Sequence, residues 1–313
     1  MSRAFVFPGQ GSQDVGMGRA LAESFPIAKR VFDEVDEALG QKLSAIMWDG
    51  PKDALTLTEN AQPALMAVSV AVVRVLEEKG FTLAGNVAFV AGHSLGEYSA
   101  LTAAGAFTLA DSARLLRLRG QAMQAAVPVG QGAMTALLGV GLDAARLIAA
   151  DAAQGECCDI ANDNEPTQVV LSGHKSAIDR VAAAGKPHGL RRAVPLPVSA
   201  PFHCALMKPA ADAMAAALEK INIRAPCVPV MSNVTATPTA DPAEIKRRLV
   251  AQVTGTVRWR ECVLAMAAAG VTDLYEIGTG KVLTGLAARI DKALRAQAVG
   301  TPADIEAALA TLK

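Results

Sequence analysis

The chain has 313 residues, of which 51% are apolar and 19% charged, so a disordered or fibrous protein is excluded. Its 30 basic side chains balance its 30 acidic ones, and the basic stripe of a nucleic-acid binder is not visible. Only 4% of residues are aromatic, so the core must be built from Ala, Leu, Val and Ile, which suits helices packed on a parallel sheet.

Met1–Pro8 reads as a short strand, Ala4 to Phe7, stopped by a proline, and not as a signal peptide. A Gly-rich loop, Pro8-Gly9-Gln10-Gly11-Ser12-Gln13, follows. It lacks the dinucleotide fingerprint and a Walker lysine, but it lets backbone N–H groups approach a ligand closely. A helix is predicted from Ala64 to Lys79, a strand from Asn86 to Gly92, and helices from Leu95 to Ala106 and from Asp111 to Ala126. The longest charge-free run, between Arg119 and Asp143, carries several Gln and Gly and Pro128, so no membrane span is expected.

Residues 133–198 have their own rhythm. Strands are predicted at Ala133–Val140, Cys157–Ala161, Gln168–Leu171 and Arg192–Val198, with helices at Leu142–Ala153 and Ala177–Ala184 and a turn at Asn-Asp-Asn-Glu-Pro. The order βαββαβ is that of a ferredoxin-like unit. The reading is a small domain, 131–198, inserted into a large α/β domain, 1–130 with 199–313. The alternative is one continuous sheet. Asp241-Pro242-Ala243-Glu244 opens a helix with an N-cap, a first-position proline and a capping-box carboxylate. That helix should reach about Gln252 and stop before Gly255. A strand at Thr272–Ile277, a Gly-Thr-Gly turn and a helix from Lys281 complete the chain.

The sharpest motif is Gly92-His93-Ser94-Leu95-Gly96. A G-x-S-x-G segment between strand and helix is a nucleophile elbow, which raises the serine hydroxyl above the sheet edge. The Leu95 N–H lies in the unpaired first turn of the next helix and can face an oxyanion. A serine nucleophile needs a base, and there are four histidines. His93 should point away from Ser94, and His188 lies in a polar loop. His203 sits in a rigid apolar loop that would hold it in one orientation, so it is preferred over His174. An orphan helix carbonyl near Gln252 could orient the imidazole. On the 111–126 helix, Arg119 shares a stripe with Leu115, Leu116, Ala122 and Met123. A buried guanidinium needs an anion, either a substrate carboxylate or a structural acid such as Asp111 or Glu97. The five cysteines show no C-x-x-C spacing, so reduced thiols in a cytoplasmic protein are expected, with no disulfide framework and no metal site.

Together the segments FVFPGQGSQ, GHSLGEYSAL, RGQAMQ, PVSAPFHCALMKPA and YEIGTGKVLTGL resemble the malonyl-CoA:acyl carrier protein transacylase family over essentially the whole chain. The resemblance implies an α/β-hydrolase-like large domain with a ferredoxin-like small one. It implies that Ser94 takes malonyl from malonyl-CoA and passes it to the phosphopantetheine thiol of acyl carrier protein, supplying fatty-acid elongation without a bound cofactor. It makes His203 the base, the Gln252 carbonyl its orienting partner, Arg119 the clamp on the malonyl carboxylate, and the Gln10 and Leu95 N–H groups the oxyanion donors. Phe202 resembles malonyl-selective members. One departure is Val253–Val257, where many members carry an aromatic-Asn-Pro stretch. An acidic carrier protein implies a local basic patch, for which Lys186, Arg191, Arg192, Lys281 and Arg289 are candidates. Nothing in the sequence demands more than a monomer. Rival readings are a serine hydrolase, an acyltransferase of polyketide synthesis or malonate decarboxylation, and a non-catalytic carrier-docking module.

Overall fold

Strand β1 (Ser2–Phe7) is apolar at consecutive positions because both of its faces are covered. Phe5 and Phe7 join one core layer with the Thr58–Glu78 helix. Ala4 and Val6 join the opposite layer with Trp259, Val263 and Leu286. The other strands are β2 (Phe89–Gly92), β3 (Gly132–Leu138), β4 (Cys158–Glu165), β5 (Gln168–His174), β6 (Arg192–Pro195), β7 (Val230–Met231), β8 (Pro238–Thr239), β9 (Val271–Ile277) and β10 (Arg295–Val299). The computed structural model describes residues 2–312; Met1 and Lys313, the outermost residues of the expected large domain, lie outside them.

Two separate sheets result, not one continuous sheet. The six-stranded sheet has the order β10-β9-β1-β2-β7-β8 and is parallel except for the β7–β8 pair. The four-stranded sheet has the order β4-β5-β3-β6 and is antiparallel throughout. One face of the small sheet holds its own core, with Leu137, Ile148, Leu171 and Val181. Met134, Ala136 and Val170, from its other face, merge into the main core. Among the described residues no helix is long and apolar enough to cross a membrane.

Three local expectations need correction. The helix expected at Ala64 begins at Thr58 and carries Pro63 inside it. Proline removes one helical N–H, but Thr58, Asn60, Ala61 and Gln62 are all buried and Asn60 Nδ2 donates to the Ala54 carbonyl at 2.7 Å, which holds the early turns. The Asn162–Glu165 stretch, expected as a turn, continues β4 through two register shifts, leaving only Pro166 and Thr167 to reverse the chain. Asp241 caps the Pro242–Thr254 helix as expected, but Glu244 pairs with Arg247 and Arg248 instead of closing a capping box.

The Val253–Val257 stretch has a defined course. After the helix ends at Thr254, Val257 pairs alongside Asn162, donating to the Ala161 carbonyl and accepting from the Asp163 N–H. Arg260 holds Asp163 through both carboxylate oxygens. This joins the edge of the small sheet to the large unit and draws Asn162 to the rim of a shared cleft.

Candidate active site

The carboxyl ends of parallel strands supply the site, as is usual in open α/β sheets. Gln10 follows β1, Ser94 follows β2 and Asn233 follows β7, three adjacent strands. Steric demand shapes the Ser94 turn. Ser94 sits at φ 55° in the left-handed region. A Cβ on Gly92 would lie 1.8 Å from the Gly96 carbonyl carbon, and one on Gly96 would lie 2.3 Å from the Phe7 carbonyl oxygen. Gly92→Ala is therefore expected to destabilise the fold by about 3 kcal/mol or more, because backbone, not a mobile side chain, blocks the methyl. A thermal unfolding midpoint equal to that of the parent protein would contradict this.

Ser94 Oγ lies 2.7 Å from His203 Nε2, and His203 Nδ1 lies 2.9 Å from the Gln252 carbonyl. A carbonyl only accepts, so the proton resides on Nδ1 and Nε2 is free to accept from the serine. Gln252 stands in the last turn of its helix, where carbonyls lack helical partners. Burial, then the nearby Arg119 charge, pull the His203 pKa down to about 3. The imidazole is thus neutral at neutral pH. Its ring nitrogen resonances are expected not to titrate between pH 5 and 8; a midpoint near 6.5 would contradict the buried neutral form.

Arg119 is almost fully buried and has no acid partner among the described residues. Neither Asp111 nor Glu97 pairs with it. Its fork donates to Gln62 Oε1 at 2.8 Å, Gln252 Oε1 at 3.0 Å and Ser94 Oγ at 3.1 Å. Its Cζ lies 5.8 Å from the centre of the Tyr98 ring. Gly120 makes this possible. A Cβ there would lie 2.5 Å from Glu59 Cα, so the Arg119 helix and the Thr58–Glu78 helix approach closely and Gln62 meets the guanidinium. Neutral groups take its hydrogen bonds, and Glu97 acts on it only across space without an ion pair, so the buried charge still favours an anion in the cleft.

Behind these groups lies a network with no signal in the sequence pattern. Asn233 Oδ1 accepts the Ser94 N–H at 2.8 Å, and its Nδ2 donates to the Gly92 carbonyl at 2.8 Å. Gln252 Nε2 donates to Glu97 Oε2 at 2.8 Å, which also accepts the Asn233 N–H at 3.0 Å. Burial raises the Glu97 pKa to about 7 against those bonds. The two perturbed groups act oppositely on stability. The His203 contribution is present above pH 6.5 and is lost as pH falls toward 3. The Glu97 contribution is present below pH 4.5 and is lost as pH rises through 7.

The cleft, about 520 Å³, is lined by Gln10, Ser94, Leu95, Arg119, Phe202 and His203 together with residues of the small sheet. Among the described residues the Gln10 and Leu95 N–H groups have no hydrogen-bond partner. The Gln10 side chain is held by Thr58 Oγ1 at 2.6 Å. A Cβ on Gly9 would lie 2.9 Å from the His93 carbonyl, so this loop approaches the Ser94 turn closely. The remaining histidines are committed elsewhere. His93 shares the cleft wall but its Nε2 bonds Asn164 Oδ1 at 2.9 Å. His174 accepts the Cys157 N–H, and His188 pairs with Asp151. The arrangement can take a proton from a serine hydroxyl, hold a carboxylate, and offer N–H groups to developing negative charge.

Residues 4–300 match the acyl transferase domain family. The chain is 50% identical over 309 residues to the malonyl CoA-acyl carrier protein transacylase of Escherichia coli K12, covering 98% of each. The crystal structure of an acyl-carrier-protein S-malonyltransferase from Bartonella henselae superimposes with a TM-score of 0.97 at 56% identity, covering 100% of this chain and 99% of that one. A malonyl-transacylase solved in complex with its type II polyketide acyl-carrier protein superimposes with a TM-score of 0.96 at 45% identity, covering 99% and 100%. With the serine turn, the buried histidine and the unpaired arginine all inside the matched span, this chain belongs to the malonyl CoA-acyl carrier protein transacylases of the acyl transferase domain family.

Proposed function

We propose that this protein transfers the malonyl group from malonyl-CoA to the phosphopantetheine thiol of acyl carrier protein, through a malonyl ester on Ser94. The observation that carries the reading is the relay from Ser94 Oγ to His203 to the Gln252 carbonyl, beside a buried Arg119 that lacks an acid partner. His203 Nε2 accepts the Ser94 proton as Oγ attacks the thioester carbonyl. The Gln10 and Leu95 N–H groups stabilise the oxyanion. Coenzyme A leaves as the thiol, taking the proton from His203. The carrier thiol then attacks the ester with His203 again as base, so the kinetics are ping-pong. Arg119 pairs with the malonyl carboxylate bidentately and fixes the acyl group in the cleft. Phe202 forms part of the wall that limits the α-carbon side of the acyl group.

The acyl carbons arrive on one thiol and leave on another, so the reaction calls for no bound cofactor. Within this reading, 1–130 with 199–313 is an α/β-hydrolase-like catalytic domain, and 131–198 is a small ferredoxin-like domain that lines one side of its cleft. The βαββαβ order and the separate core of the small sheet support that division. Five free cysteines suit a reducing cytoplasm. For carrier docking, Lys186, Arg191, Arg192 and Lys281 are preferred, since Arg289 lies 3.5 Å from Glu165.

Acceptor dependence tests the reaction class. Release of coenzyme A at steady state is expected to require the phosphopantetheinylated carrier. Equal release with water alone as acceptor would make the protein a hydrolase.

A further inference from the structure

Beyond the cleft, three ligating side chains from separate parts of the chain meet. Cys157 precedes β4, Asp159 lies in it, and Cys204 directly follows His203. Their two sulfurs and a carboxylate oxygen all lie within 4.8 Å of one another. Cys157 Sγ is 3.3 Å from Asp159 Oδ2, which also accepts the Ala205 N–H at 2.8 Å. Cys204 is fully buried while Cys157 and Asp159 are partly exposed, so the cluster is open on one side. Zinc–sulfur bonds of about 2.3 Å in a tetrahedron set sulfurs just under 4 Å apart, within reach of this arrangement. Two thiolates and one carboxylate form a donor set for a borderline-soft cation, with a fourth position left for solvent.

We propose that Cys157, Asp159 and Cys204 form a site for a thiophilic divalent cation, of which zinc is the type, and that its occupancy slows the enzyme through the turn that carries His203. Binding exchanges two thiol protons for the metal, with both protons released to solvent and no change of oxidation state. The coupling is local. Cys204 Sγ donates to the Pro201 carbonyl at 3.1 Å and closes the turn in which His203 sits at φ 59°. Metal capture removes that donor and loosens the turn that presents His203 to Ser94 and to the Gln252 carbonyl. No C-x-x-C spacing announces the site, because its ligands come from the small sheet and from the His203 loop.

The test uses the full chain, kept reduced by a phosphine. Cobalt(II) titration is expected to saturate at one equivalent with a thiolate-to-metal charge-transfer band that zinc(II) displaces. Cys157→Ser should lose that band and bind zinc at least about tenfold more weakly. Asp159→Asn, which keeps an oxygen for the Ala205 N–H, should also weaken zinc binding. One equivalent of zinc should slow malonyl transfer several-fold in the parent protein and leave Cys157→Ser, with its normal metal-free turnover, unaffected. No band, the same band in Cys157→Ser, or equal rate responses in both proteins would overturn the proposal. The rate arm rests on the transferase reading; the spectroscopic arm does not, so the two can fail separately.

Discussion

Ser94→Ala is expected to form no malonyl-enzyme and to lose turnover by about 10⁴-fold or more, the scale seen when a serine nucleophile is removed from a relay of this kind. The hydroxyl oxygen is where three functions meet. It gives its proton to His203 at 2.7 Å, receives the Arg119 guanidinium at 3.1 Å, and stands at the tip of a turn whose backbone Asn233 grips. Alanine at φ 55° bears the same backbone strain as serine, so the variant should fold and unfold like the parent. A covalent mass gain in Ser94→Ala, or labelling at another residue, would show that the nucleophile lies elsewhere.

Arg119→Ala is expected to reduce the preference for malonyl-CoA over acetyl-CoA by about 30-fold to about 5 × 10³-fold, the value of about 2–5 kcal/mol for a buried hydrogen-bonded charge pair. An acyl-enzyme should still form, because Ser94, His203 and the oxyanion N–H groups remain. Absolute rates are a poorer readout than the ratio. Removing the guanidinium also strands the Gln62 and Gln252 amide oxygens and frees Ser94 Oγ, and those losses burden both donors alike. The ratio isolates the carboxylate. If kcat/KM for the two donors falls by the same factor, Arg119 is structural and the acyl carboxylate is held by another group.

The parts of the site that were legible in the sequence are those governed by local constraint. Gly92 and Gly96 are required by backbone contacts within their own turn and its neighbour strand, so the elbow could be read from five residues. His203 could be chosen because its loop is apolar and rigid, and Arg119 because a charge on an apolar stripe demands an explanation. The supporting groups were not legible for the opposite reason. Gln62 lies just ahead of Pro63, where the usual rule opens a helix and assigns a loop, yet tertiary burial extends the helix back to Thr58. Asn233 follows a two-residue strand too short to give a periodic signal. Glu97 was in view only as a possible ion-pair partner; its actual partners, Gln252 and Asn233, are more than 130 positions away in sequence. The hairpin at Pro166 was misplaced because Asn, Asp and Asn carry turn propensity, and pairing with both β5 and Val257 overrides it.

The mass of the intact protein, taken after mixing with malonyl-CoA and again after adding phosphopantetheinylated carrier, tests the central claim most directly. The account predicts a gain of one malonyl group, located on Ser94, that disappears from the enzyme as it appears on the carrier. No gain, or a gain lost equally fast without carrier, would contradict it.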